Sequence, residues 1–145
     1  IVAPEEIARK FEQVKQATDL HTATLTQRAV YEVVKDGFLN EHIPTIRSMY
    51  HTQAQAMLSA LDEHMPTGVK WNQPAGGMFL WLELPEGMDS EEMLKKALAR
   101  NVAYVPGTPF YANEPVRNTL RLAFVTVPEE KIRAGVKVLG EVFDG

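Results

Sequence analysis

A single arginine within an otherwise apolar strand pattern is the residue whose type and position say most about chemistry. Arg121 lies in the stretch Thr119–Val125, where it alternates with Leu120, Leu122 and Phe124. A guanidinium is costly to bury without an anion, and its planar fork pairs bidentately with a carboxylate or a phosphate. A solvated strand face or an internal Glu would satisfy the arginine equally well. Strand composition alone therefore leaves a ligand-binding role and a structural role open.

Two turns rich in Pro and Gly lie beside aromatic residues in the sequence. Gln73–Gly77 leads into a strand that carries Phe79 and Trp81, and Val105–Tyr111 ends in two aromatic residues. Paired glycines permit positive φ and a close backbone approach, which serves either a tight turn or a ligand. The aromatic residues could line a pocket or fill the core. Neither turn has the spaced glycines, or the final Lys-Ser or Lys-Thr, of a phosphate-binding loop.

Other reactive groups are scattered. The chain has no Cys, and no two of its four His have the i, i+4 spacing of a zinc-binding helix. Its serines lie in helical patterns without a nucleophile elbow. We therefore predict neither a metal site nor a catalytic nucleophile.

Composition narrows the partners further. The 145 residues are 45% hydrophobic and 23% charged, which is typical of one ordinary soluble domain. A net charge of -4 provides no basic surplus for nucleic acid or for an anionic membrane. No apolar run approaches the roughly 18 residues of a membrane helix. We expect a cytoplasmic protein without nucleic-acid or membrane contacts.

The first residues are unusual for a chain start. Ile1, Val2 and Ala3 run into Pro4 without an initiator Met, in a pattern typical of the end of a buried strand. This predicts a piece of a longer polypeptide, the alternative being a trimmed but complete domain.

The first half of the chain reads as helical. Apolar residues at helical spacing predict a helix from Pro4 to about Ala17, a Thr-rich loop over 18–26, and a second helix that ends at Gly37. A longer helix follows from Asn40, in which Pro44 is tolerable within the first turn.

Short strands alternate with helices in the second half. Strands are predicted over 69–72, 78–84, 102–105 and 119–125, with helices after Asp89 and Pro128. The pattern predicts an α+β fold in which helices cover one side of a small mixed or antiparallel sheet.

Taken in order, these segments resemble the fold-type I aminotransferases that depend on pyridoxal phosphate, in the aminoadipate and kynurenine aminotransferase branch of classes I and II. The resemblance covers almost the whole chain and rests on the following pieces: Val2-Ala3-Pro4, Asp19-Leu20-His21-Thr22 with Gln27, His42-Ile43 through Tyr50, Gly76-Gly77-Met78-Phe79-Leu80-Trp81, Val105-Pro106-Gly107 with Phe110, and Leu120-Arg121-Leu122 with Phe124.

The resemblance implies a role for several of these residues. Arg121 would clamp the α-carboxylate of the substrate and orient its amino group by positioning. Leu20 would reach across a homodimer interface toward the neighbouring active site. Gly76, Gly77 and Phe79 would support the carboxylate pocket. Residues 1–40 would then be a remnant of a large cofactor-binding domain, and residues 41–145 a small C-terminal domain with its bridging helix.

The resemblance also places the catalytic lysine and most cofactor contacts upstream of Ile1. It therefore implies an enzyme that exchanges an amino group between an L-amino acid and a 2-oxo acid, of which this segment alone is inactive. One alternative is the effector-binding domain of a GntR-type transcriptional regulator, in which an aminotransferase-like domain follows a winged helix. Another is a free-standing α+β interaction domain.

Overall fold

The computed structural model describes residues 2–145 and divides into two compact units, one reaching to Pro44 and the other comprising Thr45–Gly145. The predicted strand end at Ile1 lies outside the described residues. Val2, Ala3 and Pro4 precede the first helix without regular secondary structure. No helix within residues 2–145 combines the length and the apolar character needed to cross a bilayer.

The first unit contains two short helices, α1 at Glu5–Thr18 and α2 at Thr24–Val34. The first agrees with its prediction. The second begins at Thr24, so the predicted loop over 18–26 is too long. Threonine is a weak helix former, but Ala23 provides the N-cap position and the helical stripe of α2 extends back to Leu25.

The long helix α3 spans Phe38–His64. Because it begins two residues before the predicted start at Asn40, Pro44 lies beyond the first turn, in the interior of the helix. The prediction that Pro44 belongs to the first turn is therefore wrong. A proline there removes the hydrogen bond to the carbonyl of Asn40, and the boundary between the two units falls directly after it.

The second unit is built on a four-stranded sheet. Its strands are β1 at Lys70–Trp71, β2 at Phe79–Glu83, β3 at Val105–Pro106 and β4 at Thr119–Ala123. They pair antiparallel in the order β1-β2-β4-β3, which settles the mixed or antiparallel alternative. Pro106 sits in an edge strand, where a missing backbone N–H costs no central ladder bond.

One face of this sheet is covered by helices α4 at Ser90–Leu98 and α5 at Glu129–Asp144. Alternation along β2 and β4 buries one set of side chains, and these join residues of α3 and α5 in a single core: Leu61, Leu80, Leu82, Leu120, Leu122, Ile132, Val136 and Leu139. The predicted α+β class with helices on one side is confirmed. Within α4 the apolar Leu98 is 53% exposed, while Ser90 is buried.

Asp89 caps the N-terminus of α4. Its carboxylate accepts from the backbone N–H of Glu91 and pairs with the Arg117 guanidinium at 2.9 Å. The hydrogen bond from Arg117, and then that from Glu91, lower the pKa of Asp89 below its usual 3.8.

This cap predicts a pH-dependent stability. Because the pKa is lowered on folding, the stabilising effect is fully present above pH 3.8 and is lost as the pH falls through the folded-state value. Asp89→Asn keeps the cap but removes the charge. Wild type should unfold at a higher urea concentration than the variant at pH 7, with the difference shrinking below pH 3.8. A difference that stays constant down to acidic pH would refute the assignment.

Candidate functional site

The residues of the candidate site share the face of the sheet that the helices leave uncovered. In the register of β2 and β4, Trp81 pairs with Arg121 and Phe79 pairs with Ala123. Neighbouring positions on these strands point into the core, so Phe79, Trp81 and Arg121 are placed together on the opposite face. The sequence prediction that Arg121 faces away from Leu120 and Leu122 is confirmed by this pattern of burial.

Arg121 packs against two aromatic rings. The Cζ atom of its guanidinium lies over the ring of Phe79, 4.1 Å from the centroid, and over the ring of Phe110, 4.8 Å from the centroid. Both distances lie within the range of cation–π attraction. The two rings therefore hold the guanidinium in place on this face of the sheet.

The guanidinium donors of Arg121 are not used within residues 2–145. In this part of the chain the side chains of Arg100, Arg117 and Arg133 donate to other side chains, whereas the guanidinium of Arg121 has neither a hydrogen bond nor an ion pair. The internal Glu that the structural alternative requires is thus absent from the described contacts. A half-buried guanidinium with five unused donors is suited to an external carboxylate or phosphate.

A second layer of contacts fixes Phe110, which belongs to the 3-10 turn Thr108–Phe110. The Trp81 ring meets the Phe110 ring edge to face at 5.6 Å. The turn itself is held against β4, because the backbone N–H of Gly107 donates to the Thr119 carbonyl at 2.7 Å. A Cβ at Gly107 would lie 2.0 Å from Thr119 Oγ1, so only glycine permits this close approach.

Gly76 and Gly77 lie in the loop that precedes β2. A Cβ built at either position meets no atom within 4 Å, so neither glycine is needed for packing inside this chain. Gly77 has a φ of +90°, which explains glycine there by conformation. Both glycines line a groove of 440 Å³ together with Arg47 and His51 of α3. Their role in supporting a carboxylate pocket stays a prediction.

Leu20 lies in the loop between α1 and α2. It is 72% exposed and has a φ of +63°, a left-handed conformation that costs a residue with a Cβ about 1 to 2 kcal/mol. A local hydrogen bond nevertheless fixes the loop, since Gln27 Nε2 donates to the Thr22 carbonyl at 2.6 Å. An exposed apolar side chain on a strained but fixed loop is consistent with a contact to another molecule.

Residues 1–139 match the sequence profile of the aminotransferase class I and II family. The chain belongs to this family. It is 52% identical over 141 residues to aromatic-amino-acid aminotransferase 1 of Thermococcus litoralis, which corresponds to 97% of this chain and 34% of that protein. The suspected aminotransferase resemblance is thereby confirmed.

Solved structures of the family share the fold. One of them is the crystal structure of the α-aminoadipate aminotransferase LysN from Thermus thermophilus, in complex with N-(5'-phosphopyridoxyl)-L-leucine. It superposes on this chain with a TM-score of 0.86 at 46% sequence identity, and the match covers 99% of this chain and 37% of LysN. A more distant relative is YdfD of Bacillus subtilis, described as an uncharacterized HTH-type transcriptional regulator, which is 29% identical over 97% of this chain and 29% of YdfD. The chain spans about one third of the length of each of these proteins.

Sequence reasoning missed one member of the site. It identified Arg121 from strand alternation and Phe79 from the family resemblance, but it left Phe110 as either a pocket residue or a core plug. Phe110 is 49% exposed and lies on the guanidinium, so it does not plug the core. The available signal was the Pro-Gly turn, which precedes an aromatic pair and returns the chain toward β4.

Proposed function

We propose that this chain is the C-terminal segment of a pyridoxal-phosphate-dependent aminotransferase that exchanges an amino group between an L-amino acid and a 2-oxo acid. The observation that carries the proposal is the guanidinium of Arg121, which lies against two aromatic rings and makes no hydrogen bond or ion pair within residues 2–145. Every amino acid and every 2-oxo acid carries an α-carboxylate that this group can bind. Family membership supports the reaction class.

Arg121 acts on the substrate by binding and orientation. Two parallel N–H···O bonds from the guanidinium fix a carboxylate in position and in angle. Val105, which pairs with Arg121 from β3, and Ala123 beside it are small enough to leave space for the substrate. The rings of Phe79 and Phe110 exclude water from part of the guanidinium surface, which strengthens the ionic hydrogen bonds. The substrate is thereby held in one orientation, which lowers the entropic part of the barrier.

The described residues around Arg121 do not fit the cofactor itself. The side chains that contact or pair with Arg121 are aromatic or aliphatic. The cavity that Arg121 lines also contains Lys131 and Thr126, but it has no carboxylate to pair with the pyridinium nitrogen of the cofactor. Pyridoxal phosphate supplies the aldehyde that accepts the amino group and the ring that delocalises electrons. We place the residues that hold it outside this chain, with residues 1–40 as a remnant of the cofactor-binding domain and 41–145 as the small domain.

The remaining site residues are assigned by analogy with the family. We assign Leu20 to the interface of a homodimer, where its exposed side chain and left-handed backbone support a contact with the neighbouring subunit. Phe79 supports the carboxylate site directly, through its ring on Arg121. Gly76 and Gly77 support it through the loop that leads into β2.

A second function is favoured by one observation. YdfD, an uncharacterized HTH-type transcriptional regulator, matches 97% of this chain. In a regulator, the same Arg121 site would bind the carboxylate of an effector without turnover. The lower identity of YdfD, 29% against 52% for the aromatic-amino-acid enzyme, favours the aminotransferase.

An activity comparison tests the proposal. The full-length protein, incubated with pyridoxal phosphate, an L-amino acid and 2-oxoglutarate, should form glutamate, whereas the 145-residue segment should not. Borohydride should fix the cofactor to a lysine of the full-length protein only. A one-to-one, borohydride-reducible adduct on the isolated segment would contradict the assignment. Cofactor binding by the full-length protein without turnover would favour the regulator.

A further inference from the structure

The ring of Phe110 is exposed yet fixed in place. It is 49% exposed, and its position is set by the Trp81 edge at 5.6 Å and by the turn that Gly107 anchors to β4. Exposing half of a phenylalanine side chain forfeits part of its burial free energy. The Arg121 guanidinium lies over this ring, with Cζ 4.8 Å from the centroid. The ring is therefore placed to act on Arg121.

Phe79 and Phe110 restrict how an anion can reach Arg121. The five donors of a guanidinium lie in its plane, whereas its two faces offer none. Cζ lies over the ring of Phe79 at 4.1 Å and over that of Phe110 at 4.8 Å, and one ring on each face would leave only the edge of the guanidinium open to an anion. A planar carboxylate fits this approach with both oxygens in the plane. A tetrahedral anion that places two oxygens in the plane directs its third oxygen toward one ring.

We infer that Phe110 is a positioning and specificity residue, which with Phe79 forms a flat slot that holds Arg121 and selects carboxylates over tetrahedral anions of equal charge. The inference rests on the proposed function, because it takes the carboxylate of the substrate as the ligand of Arg121. It adds a residue from the 3-10 turn to a site otherwise built on β2 and β4. The selection is steric, and the positioning comes from the attraction between ring and cation.

Two ligands of the same charge test the slot. Butanoate and propane-1-sulfonate each carry one negative charge at neutral pH, and they differ in the geometry of the anionic group. Their dissociation constants are measured by ligand-observed NMR titration of the full-length, cofactor-loaded protein. Wild type should bind butanoate at least about fivefold more tightly than the sulfonate.

Substitutions at Phe110 then separate its role from general packing. Phe110→Leu should weaken butanoate binding about 3- to 10-fold, in line with the loss of one cation–π contact, and should abolish the preference over the sulfonate. Phe110→Tyr keeps the ring and should restore both. Tyr111→Leu is a matched control, because it removes a neighbouring ring that contacts Trp81 without lying on Arg121. It should leave the preference unchanged.

The outcomes distinguish the slot from the clamp. If Phe110→Leu leaves both dissociation constants unchanged, or weakens both ligands equally, the slot is refuted. If Arg121→Gln leaves butanoate binding unchanged, the clamp of the proposed function is refuted instead. Circular dichroism and thermal unfolding of each variant establish that it is folded before its binding is compared.

Discussion

Arg121→Gln should raise the KM of the full-length protein for amino acids and 2-oxo acids by about 100- to 1,000-fold. The substitution removes a bidentate, charge-assisted contact that two aromatic rings partly shield from water, and such contacts contribute about 3 to 4 kcal/mol, at 1.4 kcal/mol per tenfold. The absorbance of the bound cofactor should remain unchanged, because Arg121 is assigned to the substrate. Steady-state kinetics with both substrates varied, together with the cofactor spectrum, provide the measurement.

Two further arginine variants act as controls. Arg121→Lys keeps the charge but loses the planar fork, so its KM should rise only about tenfold. Arg117→Gln removes an arginine from the same unit that is already paired with Asp89, and it should leave KM unchanged. Wild-type kinetics for Arg121→Gln would refute the clamp. A loss of cofactor absorbance would show that the residue acts on the cofactor.

The sequence was most informative where the periodic pattern was long. The stripe of Ile132, Val136, Leu139 and Phe143 predicts α5 correctly, and all four are buried. Alternation of Leu80 and Leu82 with aromatic residues likewise locates β2. Two-residue strands such as β1 and β3 carry too few residues for a pattern to define their ends. The strand predicted over 69–72 is longer than β1, and the strand predicted over 102–105 shares only Val105 with β3 at Val105–Pro106.

Periodicity shows which face of a helix is apolar, but not what covers it. The predicted stripe of α1 is present in Ile7, Phe11 and Val14, each of which is about half exposed or more. The same limit applies to Leu98 on α4. Burial of such faces depends on elements distant in sequence, which the pattern of a single helix does not contain.

The candidate site likewise has one part that the local sequence predicts and one part that depends on contacts distant in sequence. Arg121 and its face follow from alternation along one strand, which is local information. The contact between Phe110 and Arg121, by contrast, joins residues of a turn and a strand that are eleven positions apart. It depends on the backbone hydrogen bond from Gly107 to Thr119, which holds the turn against β4. The glycine at position 107 indicates that a Cβ is excluded there or that conformational freedom is needed. Only the fold shows that Thr119 occupies the volume that the Cβ would take.

Helix α5 contains two glycines with opposite expected responses to the same substitution. Gly140 is buried, and a Cβ there would lie 2.2 Å from the carbonyl oxygen of His64 at the end of α3. Gly135 lies one and a half turns earlier, and a Cβ there meets no atom within 4 Å. The first glycine permits two backbones to touch, whereas the second has no steric reason to be glycine.

Gly140→Ala should therefore lower the free energy of unfolding by about 2 kcal/mol. The contact with a backbone carbonyl cannot be relieved by rotating a side chain, so α5 must move away from α3, which costs about 3 kcal/mol. The better helix propensity of Ala offsets about 1 kcal/mol of this. Gly135→Ala should gain that propensity without a clash and raise stability by about 0.5 to 1 kcal/mol. Urea unfolding of the two variants beside wild type measures both signs, and a Gly140→Ala variant as stable as Gly135→Ala would show that α5 can shift freely over the end of α3.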